Sequence, residues 1–434
     1  MRWPVVVLLL GGAASACASE AVMFRADARH SGVYPGSGVP ELHGLKWSFR
    51  AGGPIVSSPV VADGTVYFGS ADHQVYALAE HSGELRWKFA TGGRVSASPA
   101  VAEGRLFVGS YDGNFYALDA ATGALAWKFA TAGERRFSAR HLHGAEPAAE
   151  VMPDPFDVFL SSPVVAGGTV YFGSGDGNVY ALSTATGALR WKFHTGNVVH
   201  ASPALAGGLL YVGSWDSYFY ALDAESGAER WRFKTGEDPA IGNQVGIQSS
   251  AAVAAGIVYF GCRDSNLYAL DAASGQQRWA FSTKGSWVVT SPAVKDGVVY
   301  FATSDSATVH ALDAASGAPR QVWNFPHWPF FSSPALAGER LYIGSHAGKL
   351  LVLNLKDQSI AWTFATEGAR QNAAALTTAQ GAPDYAAVFG DFFYDDMVSG
   401  VKRMLGVGAV LSSPVIEGDT VYFGSWDGQL YALG

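Results

Sequence analysis

A motif of about 40 residues recurs along almost the whole chain, and it constrains the fold more than any other feature. Val66-Tyr67-Phe68-Gly69-Ser70-x-Asp72 is followed by Val75-Tyr76-Ala77-Leu78, then Gly83, then Trp87-x-Phe89. The same order runs from Phe107 to Trp127, Tyr171 to Trp191, Tyr211 to Trp231, Tyr259 to Trp279, Tyr300 to Trp323 and Tyr342 to Trp362. A last copy from Tyr422 to Leu433 stops before its Trp, while the chain opens with an unattached Leu45-Lys46-Trp47-Ser48-Phe49. Counting either the Trp-x-Phe pairs or the starts at Pro59, Pro99, Pro163, Pro203, Ala251, Pro292, Pro334 and Pro414 gives eight.

A period of this length holds four short strands, the size of one propeller blade. The apolar residues run continuously along these strands, as they must where both faces of a sheet are covered. Trp and Phe two apart share a strand face and fill the wedge between neighbouring blades. Proline falls on the innermost strand, an edge where a missing N–H costs little. Asp-x-x-Thr/Ser-Gly, as in Asp119 to Gly123, turns the chain into the outer strand. The orphan first strand completes the unfinished last blade. The sequence therefore predicts an all-β, eight-bladed propeller over residues 45–434, preceded by a lead-in segment at 19–44.

Composition narrows the function. With 49% hydrophobic and only 15% charged residues the chain buries a large core. A formal charge of −8 provides no basic face for nucleic acid or anionic lipid. Two cysteines, Cys17 and Cys262, exclude a disulfide scaffold and a four-cysteine zinc site. Residues 1–18 read as an export signal: Met1-Arg2, an apolar run Val5 to Leu10, and a small-residue cleavage site at Ala14-Ser15-Ala16. Such a run is too short to span a bilayer. Cleavage before Cys17 would leave it first, which resembles a lipoprotein signal with Cys17 as the lipidated residue, although Ala14 stands where leucine is usual. The alternative is ordinary cleavage and a free protein. The expectation is a monomer in the periplasm, touching a membrane only through that lipid anchor.

The repeat resembles the pyrroloquinoline-quinone (PQQ) propeller family, through Ala-x-Asp-x-x-Thr-Gly-x-x-x-Trp, as in Ala117-Leu118-Asp119-Ala120-Ala121-Thr122-Gly123-Ala124-Leu125-Ala126-Trp127. That resemblance covers nearly the whole chain. It implies either a quinoprotein dehydrogenase acting on alcohols or sugars, with PQQ and Ca2+ over the axis, or a BamB-type outer-membrane assembly lipoprotein, a non-catalytic scaffold without cofactor. Length, blade number and the expected lipid anchor favour the scaffold. Adjacent cysteines and an attached haem domain, common among the dehydrogenases, are missing from this sequence.

The eight copies control for one another. Asp72, Asp112, Asp176, Asp216, Asp264, Asp305 and Asp427 recur at one position, so they read as turn caps and not as a catalytic ring. Departures from the pattern are the candidates for function. Three connectors from an outer strand to the next inner strand are long, near 132–158, 236–248 and 367–410, and all three fall on one face. The first offers Arg135, Arg136, Arg140, His141 and His143 with Asp154 and Asp157: a loop tied down by Arg–Asp pairs, an anion or partner site, or a metal site. The second offers Asn243, Gln244 and Gln248. The third starts at Arg370 and ends in Phe392, Phe393 and Tyr394, which read as a short amphipathic lid either packed down or facing a partner. Asp391, Asp395 and Asp396 are its candidate Ca2+ ligands, without the spacing of an EF-hand. Trp287, His327 and Trp328 add aromatic groups near the same mouth, with Trp328 and Phe392 as apolar anchors for a partner. Trp215 and Tyr218 are assigned to the opposite face. An envelope protein partner or a small ligand at the channel mouth is the expected occupant.

Overall fold

The computed structural model describes residues 21–236, 246–325, 327–391 and 393–434. Eight four-stranded antiparallel sheets form the blades of a ring. Blade 1 shows the plan: an inner strand Val60–Ala62, then Thr65–Gly69, Gln74–Ala79 and an outer strand Leu85–Ala90. In the last blade Leu45–Arg50 supplies the outer strand, pairing antiparallel with Gln429–Leu433 from Leu45 opposite Leu433 to Arg50 opposite Gln429. The ring closes as the orphan strand predicted.

The tryptophans do more than fill wedges. Seven of the eight outer-strand indoles donate their Nε1–H to a turn carbonyl in the following blade, as Trp87 does to Ala120 O at 3.0 Å and Trp191 to Ala224 O at 3.0 Å. Gly83 lies flat on the Trp47 ring with φ at 71°, so a Cβ there would strike the indole. This is why Thr/Ser-Gly recurs: the position needs a positive φ and no side chain. Trp362 finds no such turn in the interrupted last blade and donates instead to Val39 O at 3.0 Å.

The inner ends of the blades are joined by a hydrogen-bonded ring. The backbone N–H of Ser58 donates to Ser98 Oγ, Ser98 to Ser162, Ser162 to Ser202, and so on through Ser250, Ser291, Ser333 and Ser413 back to Ser58, at 2.8–3.1 Å. The serine before it in the repeat points into its own blade, as Ser57 Oγ does in accepting from Gly69 N. Both hydroxyls of the Ser-Ser pair thus satisfy backbone donors that the narrow ring buries. The axial space at this level is only about 30 Å³, room for a water and little else.

The lead-in segment closes the far end of the channel. Inner strands of successive blades present unpaired edges there, and residues 22–34 cover them. Val22 exchanges both backbone bonds with Val101. Leu205, Val253, Val294 and Leu336 then donate to Ala28, Arg29, Ser31 and Gly32. Arg25 is buried in this plug, donating to Pro334 O at 2.5 Å and Pro292 O at 2.8 Å. Burial lowers its pKa to about 10. Among the described residues no helix is long and apolar enough to cross a membrane.

Candidate functional site

Strand alternation decides which side chains reach the open mouth. The chain descends the inner strand, rises along the second, descends the third and rises along the outer one. Turns after the second strand therefore share a face with the outer-to-inner connectors. Trp215 and Tyr218 belong to such a turn and lie on the insertion-bearing face, not opposite it. Trp215 is buried and stacks on Phe137 of the first insertion, with ring centroids 4.3 Å apart. Tyr218 lies beneath the Lys234 ammonium, 4.6 Å from its ring centre.

The variable x of Gly-Ser-x-Asp is the position that faces the mouth: Ala71, Tyr111, Gly175, Trp215, Arg263, Ser304, His346 and Trp426 in blade order. A second variable position precedes the serine pair and contributes His200 and Gln248. Sequence reasoning passed over Arg263 and His346 because it treated the turn as uniform, and over His200 because it treated the residue before the serine pair likewise. The signal was there, in the one turn residue that differs from copy to copy.

The first insertion folds down onto these residues. Ser138–Arg140 pairs with Val151–Pro153 as a short hairpin, and Phe137, Leu142 and Met152 are buried beneath it. Its acids carry the polar contacts. Asp154 accepts from Arg263 Nη1 at 2.5 Å and from Phe156 N at 2.8 Å, and His143 Nε2 lies 3.2 Å away. The Arg263 guanidinium lies between Trp215 and Trp287, 4.3 and 4.2 Å from their ring centres, and also donates to Gln248 Oε1 at 2.7 Å. Neither side chain of the Arg263–Asp154 pair is exposed. Burial alone would raise the Asp154 pKa, but the Arg263 charge and His143 hold it well below the usual carboxylate range.

A second buried cluster flanks the first. His200 Nδ1 meets Asp157 Oδ1 at 2.7 Å, and Nε2 meets Glu134 Oε1 at 2.9 Å. Burial would lower the pKa of this imidazole; the two carboxylates override it and raise the value to about 10. Glu134 also accepts from Ser174 Oγ at 3.1 Å and Gly175 N at 2.5 Å. Gly175 is what admits the loop, since a Cβ there would overlap Glu134 Oε1 and the Arg135 backbone. Gly175→Ala is expected to destabilise the protein by about 1–3 kcal/mol through overpacking, read as a lower midpoint in urea. An unchanged midpoint would show that the insertion is not held at this contact.

The other expected residues are distributed unevenly. Arg135, Arg140 and His141 are exposed on the first insertion, and His141 Nδ1 lies 3.1 Å from Ala145 O. Arg136 is partly buried near Arg94 and Tyr111. His143 and Trp287 line a cavity described below. His327 is exposed, but Trp328 is buried and donates to Gly381 O at 2.6 Å, so it fastens the third insertion and presents no surface to a partner. Arg370 is exposed at the ring's edge, its guanidinium donating to Ala365 O at 2.5 Å. Asp395 and Asp396 fall in the first turn of a helix, where acids suit the dipole. Asp391 N donates to Asp396 Oδ2 at 3.1 Å. Among the described residues no group of three or more His, Cys, Asp or Glu is placed to hold a metal. Asn243, Gln244, Phe392 and Cys17 lie outside the described residues.

The third insertion forms three helices, α1 (Glu367–Leu376), α2 (Tyr385–Val388) and α3 (Tyr394–Leu405). α3 is the lid helix, burying Met397, Val401, Met404 and Leu405. Tyr394 N donates to Glu146 O at 3.0 Å, which ties this insertion to the first. Between the two insertions and blades 5 to 7 lies a cavity of about 720 Å³, walled mainly by aromatic and Met side chains.

Ring and capped mouth together define a PQQ-repeat propeller whose axis is closed by its own side chains. Residues 40–150, 144–363 and 246–434 match the family described as outer membrane protein assembly factor BamB, and the chain belongs to that family. No curated protein matches the sequence. Among solved structures, BamB from Moraxella catarrhalis superposes with a TM-score of 0.65 at 16% identity, over 90% of this chain and 99% of that one. A quinohemoprotein alcohol dehydrogenase from Pseudomonas putida gives a TM-score of 0.70 at 15% identity, over 95% of this chain and 79% of the other. A europium-containing methanol dehydrogenase gives 0.64 at 14%, over 94% and 96%. At these identities the likeness is one of fold.

Proposed function

We propose that the chain is a non-catalytic scaffold of the cell envelope, exported to the periplasm, anchored through Cys17, and serving outer-membrane protein assembly by holding a protein partner at its insertion-bearing face. The observation that carries this reading is that the acids the first insertion brings to the mouth are already paired, which leaves Asp305 as the lone carboxylate on the wall of the remaining cavity. A quinone with Ca2+ over the axis needs open carboxylates and a base there. Here Asp154 is paired with Arg263, while Asp157 and Glu134 hold His200. The residues present do not fit that group, and no step of quinone chemistry is assigned to them.

The outward surface suits a protein. Arg135, Arg140 and His141 supply charge on the first insertion, and Val151, Tyr385 and Phe393 stand 61%, 57% and 56% exposed across the two insertions. Apolar side chains rimmed by charge are the usual make-up of a contact patch. Titrating the purified protein with PQQ, with and without Ca2+, is expected to give no saturable change in the quinone spectrum and no dye reduction with alcohols or sugars. Saturable binding with turnover would replace the scaffold by a dehydrogenase. In a host that carries the chain, its deletion is expected to lower the amount of folded outer-membrane β-barrel protein. Val151→Asp with Tyr385→Asp should reproduce that loss.

A further inference from the structure

Blade 6 breaks the repeat in a way the ring does not require. In blades 1 to 5 and 8 the turn aspartate accepts a tyrosine hydroxyl from the third strand, as Asp72 does from Tyr76 at 2.6 Å and Asp427 from Tyr431 at 2.7 Å. Blade 6 replaces that tyrosine by His310, which stacks on Phe301 and shares its Nε2 with Thr308 Oγ1 at 2.7 Å. The capping of the turn passes to Thr303, whose Oγ1 accepts from Thr308 N at 3.0 Å. Asp305 is thereby released from the role its six counterparts play. It takes a hydrogen bond from the adjacent Ser304 Oγ at 2.6 Å and lies on the wall of the 720 Å³ cavity.

The bulk of that wall comes from aromatic and methionine side chains. Phe156, Trp287, Phe331, Tyr385 and Phe389 surround the space, with Met397 and Met404 from α3. No Lys or Arg is among the lining residues, and its imidazole, His143, is engaged with Asp154. The volume lies within the range of about 300–1,000 Å³ typical of small-molecule sites. A lone carboxylate among aromatic faces favours a cation, through ion pairing and the ring quadrupoles, and disfavours an anion.

We propose that this cavity binds a small organic cation, an ammonium carried on an aromatic or aliphatic body, with Asp305 facing the charge and Trp287, Tyr385 and Phe389 enclosing the body. The proposal goes beyond the scaffold reading and stands without it, since it needs no protein partner. Isothermal titration of the full chain with 2-phenylethylammonium, and in parallel with 3-phenylpropionate, tests it directly. Saturable binding of the cation is expected, with the carboxylate weaker by at least about tenfold. Asp305→Asn, at an exposed position, should weaken the cation about tenfold while leaving the unfolding midpoint unchanged. Ala386→Trp, on the exposed face of α2 at the cavity wall, should block both probes. The proposal is overturned by absence of saturable binding at millimolar concentration, by equal affinity for the two probes, or by affinities that neither variant changes.

Discussion

Arg263→Ala is expected to lower the unfolding free energy by about 3–5 kcal/mol, the usual cost of leaving one member of a buried ion pair without its partner. Asp154 is fully buried, and its carboxyl stays ionised chiefly because the guanidinium offsets the burial. Without it the remaining partners are His143 and one backbone N–H. The variant also empties the slot between Trp215 and Trp287, so packing is lost along with charge. Removing both charges separates the two contributions. Arg263→Met with Asp154→Leu should recover much of the loss, because apolar groups of similar volume often replace a buried pair at little cost. The readout is urea unfolding followed by tryptophan fluorescence. If single and double variants were equally unstable, packing alone would explain the effect, and the pair would not be what seats the first insertion.

The ring was legible in the sequence because eight imperfect copies of one blade repeat the same physical demands. All eight carry a wedge-filling Trp, six lay a glycine flat against the preceding blade's indole, and six cap the turn with an Asp that accepts from a tyrosine. The closing strand was legible too, since Leu45-Lys46-Trp47-Ser48-Phe49 matched the element missing after Leu433. The lead-in segment was not. Nothing local marks residues 22–34 as a plug, because their bonds are made by backbone groups to strands far along the chain. The site was half legible. Finding the insertions required only connector lengths, and the first and third share a face among the described residues. Their depth did not follow from the sequence: Asp154 and Asp157 read as loop acids, yet both are fully buried, because Arg263 and His200, more than forty residues away, reach up to meet them. Trp215 was misplaced for a simpler reason. The turn after a second strand and the connector after a fourth end on the same side of an antiparallel blade, and counting strand reversals would have placed it correctly.

A stability maximum near pH 6.5 is expected, with His200 responsible for the fall on its alkaline side. Its folded pKa is raised to about 10 from an ordinary 6.5, because Asp157 and Glu134 outweigh its burial. Below 6.5 the imidazole is charged in both folded and unfolded chains, and the stabilisation is fully present. Between 6.5 and 10 the folded protein keeps a proton that the unfolded chain has lost, so stability declines as pH rises. At about 1.4 kcal/mol per unit, the loss by pH 9 amounts to a few kcal/mol. Below about pH 8 no other raised group enters: burial pushes up the Tyr111 hydroxyl and the Cys262 thiol, and their unfolded counterparts ionise only near pH 9 and above, where Cys262 adds to the fall. On the acid side the sign reverses. Burial lowers His30 and His310 to about 4 and His346 to about 3. Each stays neutral in the fold while its unfolded counterpart takes a proton, so stability falls as pH drops from 6.5 toward 4. Urea midpoints measured from pH 5 to 9.5 should trace both limbs. His200→Gln keeps a donor beside the carboxylates but cannot titrate, so it should lower stability at pH 6.5 and flatten the alkaline limb while leaving the acid limb in place. A fall between pH 6.5 and 8 that persisted in this variant would assign the slope to another group and remove His200 as the charged link between insertion and ring.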